Sequence, residues 1–208
     1  MPRGRLITIE GIDGAGKTTL AGALAGAIGA RGIDVVLLRE PGGVRVGELI
    51  RELVKDPGLQ IDPRAEALLY AASRAQLVAE RIEPALGGGQ WVLLDRFVDS
   101  SLAYQGAGRE LGVEAVAAIN DFGTGGLAPD RTLLLTLDVA SSRARRDDRV
   151  PDRLELEDDA FFARVDAGYR AIAEGEPDRV AVLDGSVSPE ALVDAAMVAL
   201  GDLLGGDW

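Results

Sequence analysis

Residues 11–18 read Gly11-Ile12-Asp13-Gly14-Ala15-Gly16-Lys17-Thr18 and match G-x-x-x-x-G-K-[ST] in full. This spacing suits the binding of a nucleoside triphosphate. Glycines let consecutive backbone N–H groups face one anion, and a helix beginning at the lysine adds the positive end of its dipole. Lys17 would reach the β- and γ-phosphates of ATP, Thr18 would ligate Mg²⁺, and Thr19 completes the ATP-binding set. An apolar run precedes the loop and an amphipathic pattern follows it, the context the motif requires. The motif says nothing about a second substrate.

Other residues could do chemistry beside such a loop. Asp95 ends the run Trp91-Val-Leu-Leu, where an acidic residue holds Mg²⁺ directly or through water, although a strand-end cap is the alternative. Arg96 has the planar fork that suits bidentate contact with an acceptor phosphate. Tyr70 and Arg74 share one face of a predicted helix. An aromatic ring can stack on a base, worth ~1–3 kcal/mol, and a guanidinium can donate to the carbonyl oxygens of a pyrimidine. On pattern alone, an ordinary helix surface is the commoner reading of that pair.

Composition narrows the classes. The 208 residues include no cysteine and no histidine, so disulfides, a Ser-His-Asp triad and His-ligated metals are excluded. The net charge of −12 argues against a nucleic-acid polymer as partner, since such proteins carry a basic footprint. A small phosphate ligand needs only a local arginine cluster. No run of apolar residues is long enough to span a membrane, and Met1–Arg5 lead straight into a strand-like run; the expected location is cytoplasmic.

The positioning elements follow from hydrophobic pattern. Apolar runs at Leu6–Ile9, Val35–Leu38, Trp91–Leu94, Thr132–Leu137 and Val180–Leu183 do not alternate with polar residues, so each reads as a strand buried on both faces. Helical periodicity follows the first run through Ile28 and stops at Gly29–Gly32. It recurs from Ser188-Pro189-Glu190 through Leu204. The expected fold is α/β: a five-stranded, mostly parallel sheet with helices on both faces, in one domain over 1–208. Ligands in such sheets gather at the carboxyl ends of the strands, where every motif above falls. The charged, apolar-poor segment Asp147–Asp159 reads as an exposed element.

Five patches in order resemble the thymidylate kinase family: Glu10–Thr19, Arg39-Glu-Pro-Gly-Gly43, Tyr70-Ala-Ala-Ser-Arg74, Asp95-Arg96-Phe97 continuing through Ser100 to Gly106, and Asp152-Arg-Leu-Glu155. The resemblance implies a P-loop kinase fold and transfer of the γ-phosphate of ATP to dTMP with Mg²⁺. It places Arg39 near the acceptor phosphate and Pro41 against sugar or base, with Tyr70 and Arg74 on thymine. Asp13 would lie toward the 3′-hydroxyl, and Ser100, Ser101, Tyr104 and Gln105 around base and deoxyribose. Tyr70 stands where the family more often has Phe, and Gly14 where some members carry a P-loop arginine. The resemblance therefore moves the catalytic charge to a short lid over about 142–156, the bacterial arrangement. Arg143, Arg145, Arg146, Arg149 and Arg153 cluster there. Arg149 and Arg146 are the catalytic candidates beside Lys17 and Arg96, Arg143 is the ATP contact, and Arg153 is structural or substrate-linked. The family also implies a homodimer. Asp184-Gly185-Ser186 is the candidate adenine loop, from architecture. Two other readings fit the phosphate loop: another P-loop nucleotide or nucleoside kinase, and a P-loop regulatory ATPase.

Overall fold

The computed structural model describes residues 2–145 and 151–205. All five apolar runs form strands: β1 (Leu6–Glu10), β2 (Val35–Arg39), β3 (Trp91–Asp95), β4 (Arg131–Thr136) and β5 (Val180–Asp184). They make one sheet in the order β2-β3-β1-β4-β5, and each neighbouring pair is parallel. The expectation of burial on both faces holds for β1 and β3 but fails at the edges. Leu37 of β2 is 46% exposed and Val182 of β5 is 55% exposed. An edge strand has a neighbour on one side only, so helices cover it incompletely.

Side chains of adjacent strand residues point to opposite faces. Ile7, Ile9 and Leu93 accordingly enter one apolar core with Leu24, Phe161 and Leu192, while Leu6, Val92 and Leu94 enter a second with Leu77 and Phe97. Helices lie on both faces. The first is α1 (Lys17–Gly29), and α2 (Arg45–Lys55) follows β2. Next, α3 (Pro63–Leu77) runs through a π-helical segment, Val78–Ile82, into α4 (Glu83–Gly87). After β3, α5 (Val98–Ser101) runs into a second π-helical segment, Leu102–Gly108, and α6 (Val113–Thr124) follows. The last three are α7 (Val139–Ala144), α8 (Asp159–Gly175) and α9 (Pro189–Ala199).

Helix starts follow capping chemistry. Asp62, Asp158 and Ser188 accept from the backbone N–H of Arg64, Phe161 and Ala191, and Pro63 and Pro189 occupy first positions where no N–H is needed. The C-terminal period was expected to run through Leu204, but α9 stops at Ala199 and turns follow to Gly205. Among the described residues no helix is long and apolar enough to cross a membrane.

Register lines up the strand ends that matter. Arg39 of β2 pairs with Asp95 of β3, which also lies opposite Ile9 of β1. The chain leaves β1 through Gly11, at φ 132°, where a Cβ would sit 2.3 Å from the Leu135 carbonyl oxygen. It enters α1 through Gly16, in the left-handed region at φ 96°.

Candidate active site

A cavity of about 780 Å³ opens at the carboxyl ends of the strands. Residues 13–19 of the phosphate loop form its floor. Lys17 is buried, and its Nζ donates to the carbonyl oxygen of Ile12 in its own loop at 2.8 Å. Burial, then the nearby Arg96, pushes its pKa down to about 8, against opposing pulls from Asp13 and Asp95. Thr18 Oγ1 donates to Asp95 Oδ2 at 2.6 Å. The strand-end acid and the loop hydroxyl, far apart in sequence, therefore share one spot at the cavity edge.

Arg96 follows β3 with φ 72°, a left-handed conformation that costs a non-glycine residue on the order of 1–3 kcal/mol. That backbone turn aims its guanidinium into the cavity. Nη2 donates to Asp13 Oδ1 at 2.8 Å, and Nη1 donates to Ser100 Oγ at 3.0 Å. The guanidinium lies 5.2 Å over the Tyr104 ring, and the Tyr104 hydroxyl donates to Asp13 Oδ2 at 3.3 Å. Burial alone would raise the Asp13 carboxyl; Arg96 and then Lys17 outweigh it and hold it far below its usual range. Beneath this cluster Glu10 is fully buried. It accepts from the Phe97 N–H at 2.7 Å, from Ser100 Oγ at 2.5 Å and from the Tyr169 hydroxyl at 3.0 Å. Burial and then Asp99 push its pKa up to about 7.

Tyr70, Pro41, Ser101 and Gln105 line the wall beyond Arg96. Arg39 also lines the cavity, but it is tied down: it donates to the Pro41 carbonyl at 3.0 Å and to both oxygens of Glu48. Arg74 departs from the expectation of direct contact with a base. Its side chain is only 1% exposed and does not line the cavity. Nε and Nη2 hold Glu40 at 2.8 and 2.7 Å, Nη1 donates to Ser101 Oγ at 2.9 Å and to Asn120, and Nη2 also donates to the Phe97 carbonyl at 2.8 Å. A guanidinium has five N–H groups, and these contacts use them. The reason is burial: Glu40 lies beside it with 3% of its side chain exposed, and a charge so placed takes its counter-ion. Burial pushes the Glu40 carboxyl up to about 7 against the pull of Arg74, and among the described residues its Oε1 has no hydrogen-bond partner.

Several cavity residues escape a linear reading. Arg51 and Lys55 lie one turn apart on α2 and both face the cavity; Arg51 donates to the Pro41 carbonyl at 3.0 Å and Lys55 pairs with Asp152 at 2.6 Å. Their helical spacing was the available signal. At the opposite end the wall is apolar: Ala23 of α1, Val187 of the β5–α9 connection, and Leu192 and Val193 of α9. Gly185 belongs to that wall, whereas Asp184 and Ser186 line a separate, smaller cavity, so the expected adenine loop contributes one residue of its three. Arg145, one of the lid arginine cluster in the sequence but given no role of its own there, lines the main cavity and donates to the Gly185 carbonyl at 3.0 Å. Arg143 falls on α7, and Arg146 and Arg149 lie outside the described residues. Arg153 is structural in its contacts: it donates to Glu66 at 2.5 Å and to the Val54 carbonyl at 3.1 Å.

Among the described residues no three acidic side chains cluster tightly enough to hold a metal by themselves. Mg²⁺ does not require that; it is commonly held by one or two protein oxygens plus phosphates and water. The Thr18–Asp95 pair, beside the phosphate loop, fits such a donor set.

The family model for thymidylate kinase matches residues 9–196. The chain belongs to the thymidylate kinase family. It is 49% identical over 191 residues to a thymidylate kinase of Exiguobacterium sibiricum, covering 91% of this chain and 90% of that one. Identity is 46% over 205 residues with the thymidylate kinase of Rhizorhabdus wittichii, covering 97% and 99% of the two chains. The thymidylate kinase of Oenococcus oeni is 47% identical over 214 residues, with 99% of each covered. In this member of the family the matched region contains the phosphate loop, the Asp13–Arg96–Tyr104 cluster and the Tyr70 wall.

Proposed function

We propose that the chain transfers the γ-phosphate of ATP to dTMP, giving ADP and dTDP. One observation carries the reading: a single cavity holds a triphosphate loop at one point and, next to it, an arginine at the end of β3 backed by Asp13 and Tyr104, with an aromatic wall beyond. ATP would lie with its phosphates on the loop and its base between Ala23, Val187 and Leu192. Arg145 would lie against it.

The acceptor phosphate would meet Arg96 and, with Arg51, Lys55 and Arg39 near it, a rim of positive charge. Arriving phosphate would compete with Asp13 for Arg96 and free that carboxylate for the sugar 3′-hydroxyl. Tyr70 would stack on the pyrimidine, with Ser101 and Gln105 at its edge. Arg74 would act from behind, fixing Ser101 and Glu40. An oxygen of the dTMP phosphate attacks the γ-phosphorus, the bond to the β–γ bridging oxygen breaks, and ADP leaves. Catalysis of this kind is positioning plus charge. Lys17 would leave the Ile12 carbonyl for the triphosphate and stabilise charge on the transferring group. Mg²⁺, held by Thr18 and Asp95, would neutralise phosphate charge.

A lid over about 142–156, with Arg143, Arg146 and Arg149, would supply further cations and exclude water. A homodimer is supported by an exposed apolar face on three packed helices: Leu49 and Leu53 of α2, Leu68 of α3 and Phe122 of α6, the last 92% exposed.

The test is a coupled assay with ATP, Mg²⁺ and a panel of monophosphates. Turnover led by dTMP supports the reading; a profile led by AMP or GMP overturns it.

A further inference from the structure

Gln105 lies in the π-helical segment at the cavity wall and is buried. Its Nε2 donates to Glu66 Oε1 at 2.8 Å. Glu66, on α3, is fully buried and is gripped at Oε2 by Arg109 at 3.1 Å and by Arg153 at 2.5 Å. A carboxylate offers acceptors only, so Gln105 can turn only its N–H end toward it. The other end of the amide, Oε1, is thereby presented as an acceptor. Among the described residues no protein donor is bonded to it. On the same wall stand Tyr70, Ser101 and Tyr104.

We infer that Glu66 is a positioning residue for acceptor choice: by pinning the Gln105 amide it makes this wall select a pyrimidine that carries N3–H over one whose N3 is a bare lone pair. The inference rests on the dTMP kinase reading and deepens it. Thymine and uracil bring N3–H and can donate to Gln105 Oε1. Cytosine brings an acceptor at N3 and sets oxygen against nitrogen lone pair. Turning the amide over would offer cytosine an N–H, but would press Gln105 Oε1 against Glu66 Oε1. Each arrangement leaves acceptors facing each other in a buried place, and a site built this way rejects the wrong ligand strongly. Arg109 and Arg153 prevent Glu66 from rotating away. Arg153 is itself fixed to the Val54 carbonyl, and Arg109 also pairs with Glu157 at 2.6 Å.

The experiment compares kcat/KM for dTMP with kcat/KM for dCMP. Glu66→Gln supplies an N–H of its own, so Gln105 is free to turn. The dTMP:dCMP ratio is expected to fall by roughly tenfold or more, chiefly by a gain on dCMP. Glu66→Asp keeps a charge for Arg109 and Arg153 while withdrawing the oxygen from Gln105. It lowers the ratio in the same direction, and it serves if Glu66→Gln does not fold. In a Gln105→Leu background either Glu66 change leaves the ratio where Gln105→Leu set it, because the two residues act in series. A Glu66 with a merely structural role lowers both kcat/KM values together and leaves the ratio unchanged. An unchanged ratio in the Glu66 variants overturns the inference, and so does an independent, additive effect in the double variants. Failure of the wild-type chain to phosphorylate dTMP removes the activity reading and this inference together. Wild-type turnover of dTMP with an unmoved ratio removes this inference alone.

Discussion

Around Arg96 the cavity wall, backed by the buried Arg74, is made of charged side chains already bonded to one another, whereas around Gly185 and Leu192 it is made of backbone and aliphatic groups. On the acceptor side, Arg74, Glu40, Glu10, Ser100 and Ser101 are all buried and hydrogen-bonded before any ligand arrives. On the donor side, the one cation among the described residues that meets the apolar wall is Arg145, held to it by a bond to the Gly185 carbonyl. The contrast matches two kinds of recognition. A triphosphate can be read by backbone N–H groups and a helix terminus, which need no specific side chains beyond Lys17 and Thr18. A small pyrimidine monophosphate has to be told from its relatives by the direction of individual hydrogen bonds, and that requires side chains that cannot move.

The largest effect should come from breaking the acceptor side. Arg74→Ala strands Glu40 in the interior and should cost about 3–5 kcal/mol of folding stability, measured by chemical denaturation. It should also raise KM for dTMP. A loss confined to ATP binding would collapse the distinction between the halves. Next, Lys17→Ala should cut kcat by roughly 10²–10³-fold without lowering the melting temperature, because that ammonium is buried at a desolvation cost. Steady-state kinetics beside a thermal melt check both parts. Arg145→Ala should raise KM for ATP by roughly three- to tenfold and change stability by less than about 1 kcal/mol, leaving KM for dTMP alone. A matching rise in both KM values would mean that the halves are coupled through Arg145.

The smallest effect concerns pH. Lys17 has its pKa lowered to about 8 in the free protein, so it is charged below that pH and neutral above it. kcat/KM for ATP, which reports the free enzyme, should be about half lost near pH 8 and continue to fall. The alkaline limb of kcat should lie at higher pH, since bound triphosphate favours the charged lysine. Coincident limbs would show that Lys17 keeps its charge in the empty loop.

The strand runs, the phosphate loop, Asp95 and Arg96 were legible because each is announced locally, by apolar length, glycine spacing or position at a strand end, whereas Tyr70, inside a helix, stood out only through the family resemblance. Arg74 was legible as a companion of Tyr70 on one helix face but not in its contacts. A guanidinium one turn from an aromatic can face a ligand or a buried carboxylate equally well, and nothing near residue 74 announces Glu40, Phe97 and Asn120 as its partners. Arg51, Lys55, Glu66 and the Leu192 wall were missed for a related reason, since each matters only through segments that are distant along the chain.

By itself, then, the order of residues determined the sheet, the anion-binding turn and the chemistry available at the strand ends. These depend on backbone geometry and periodicity, which act over a few residues. Only the tertiary structure decided which cations face the cavity and which are neutralised behind it. Desolvation sets that outcome: a buried charge must take the nearest opposite charge in space, and proximity in space is fixed by the packing of helices against the sheet.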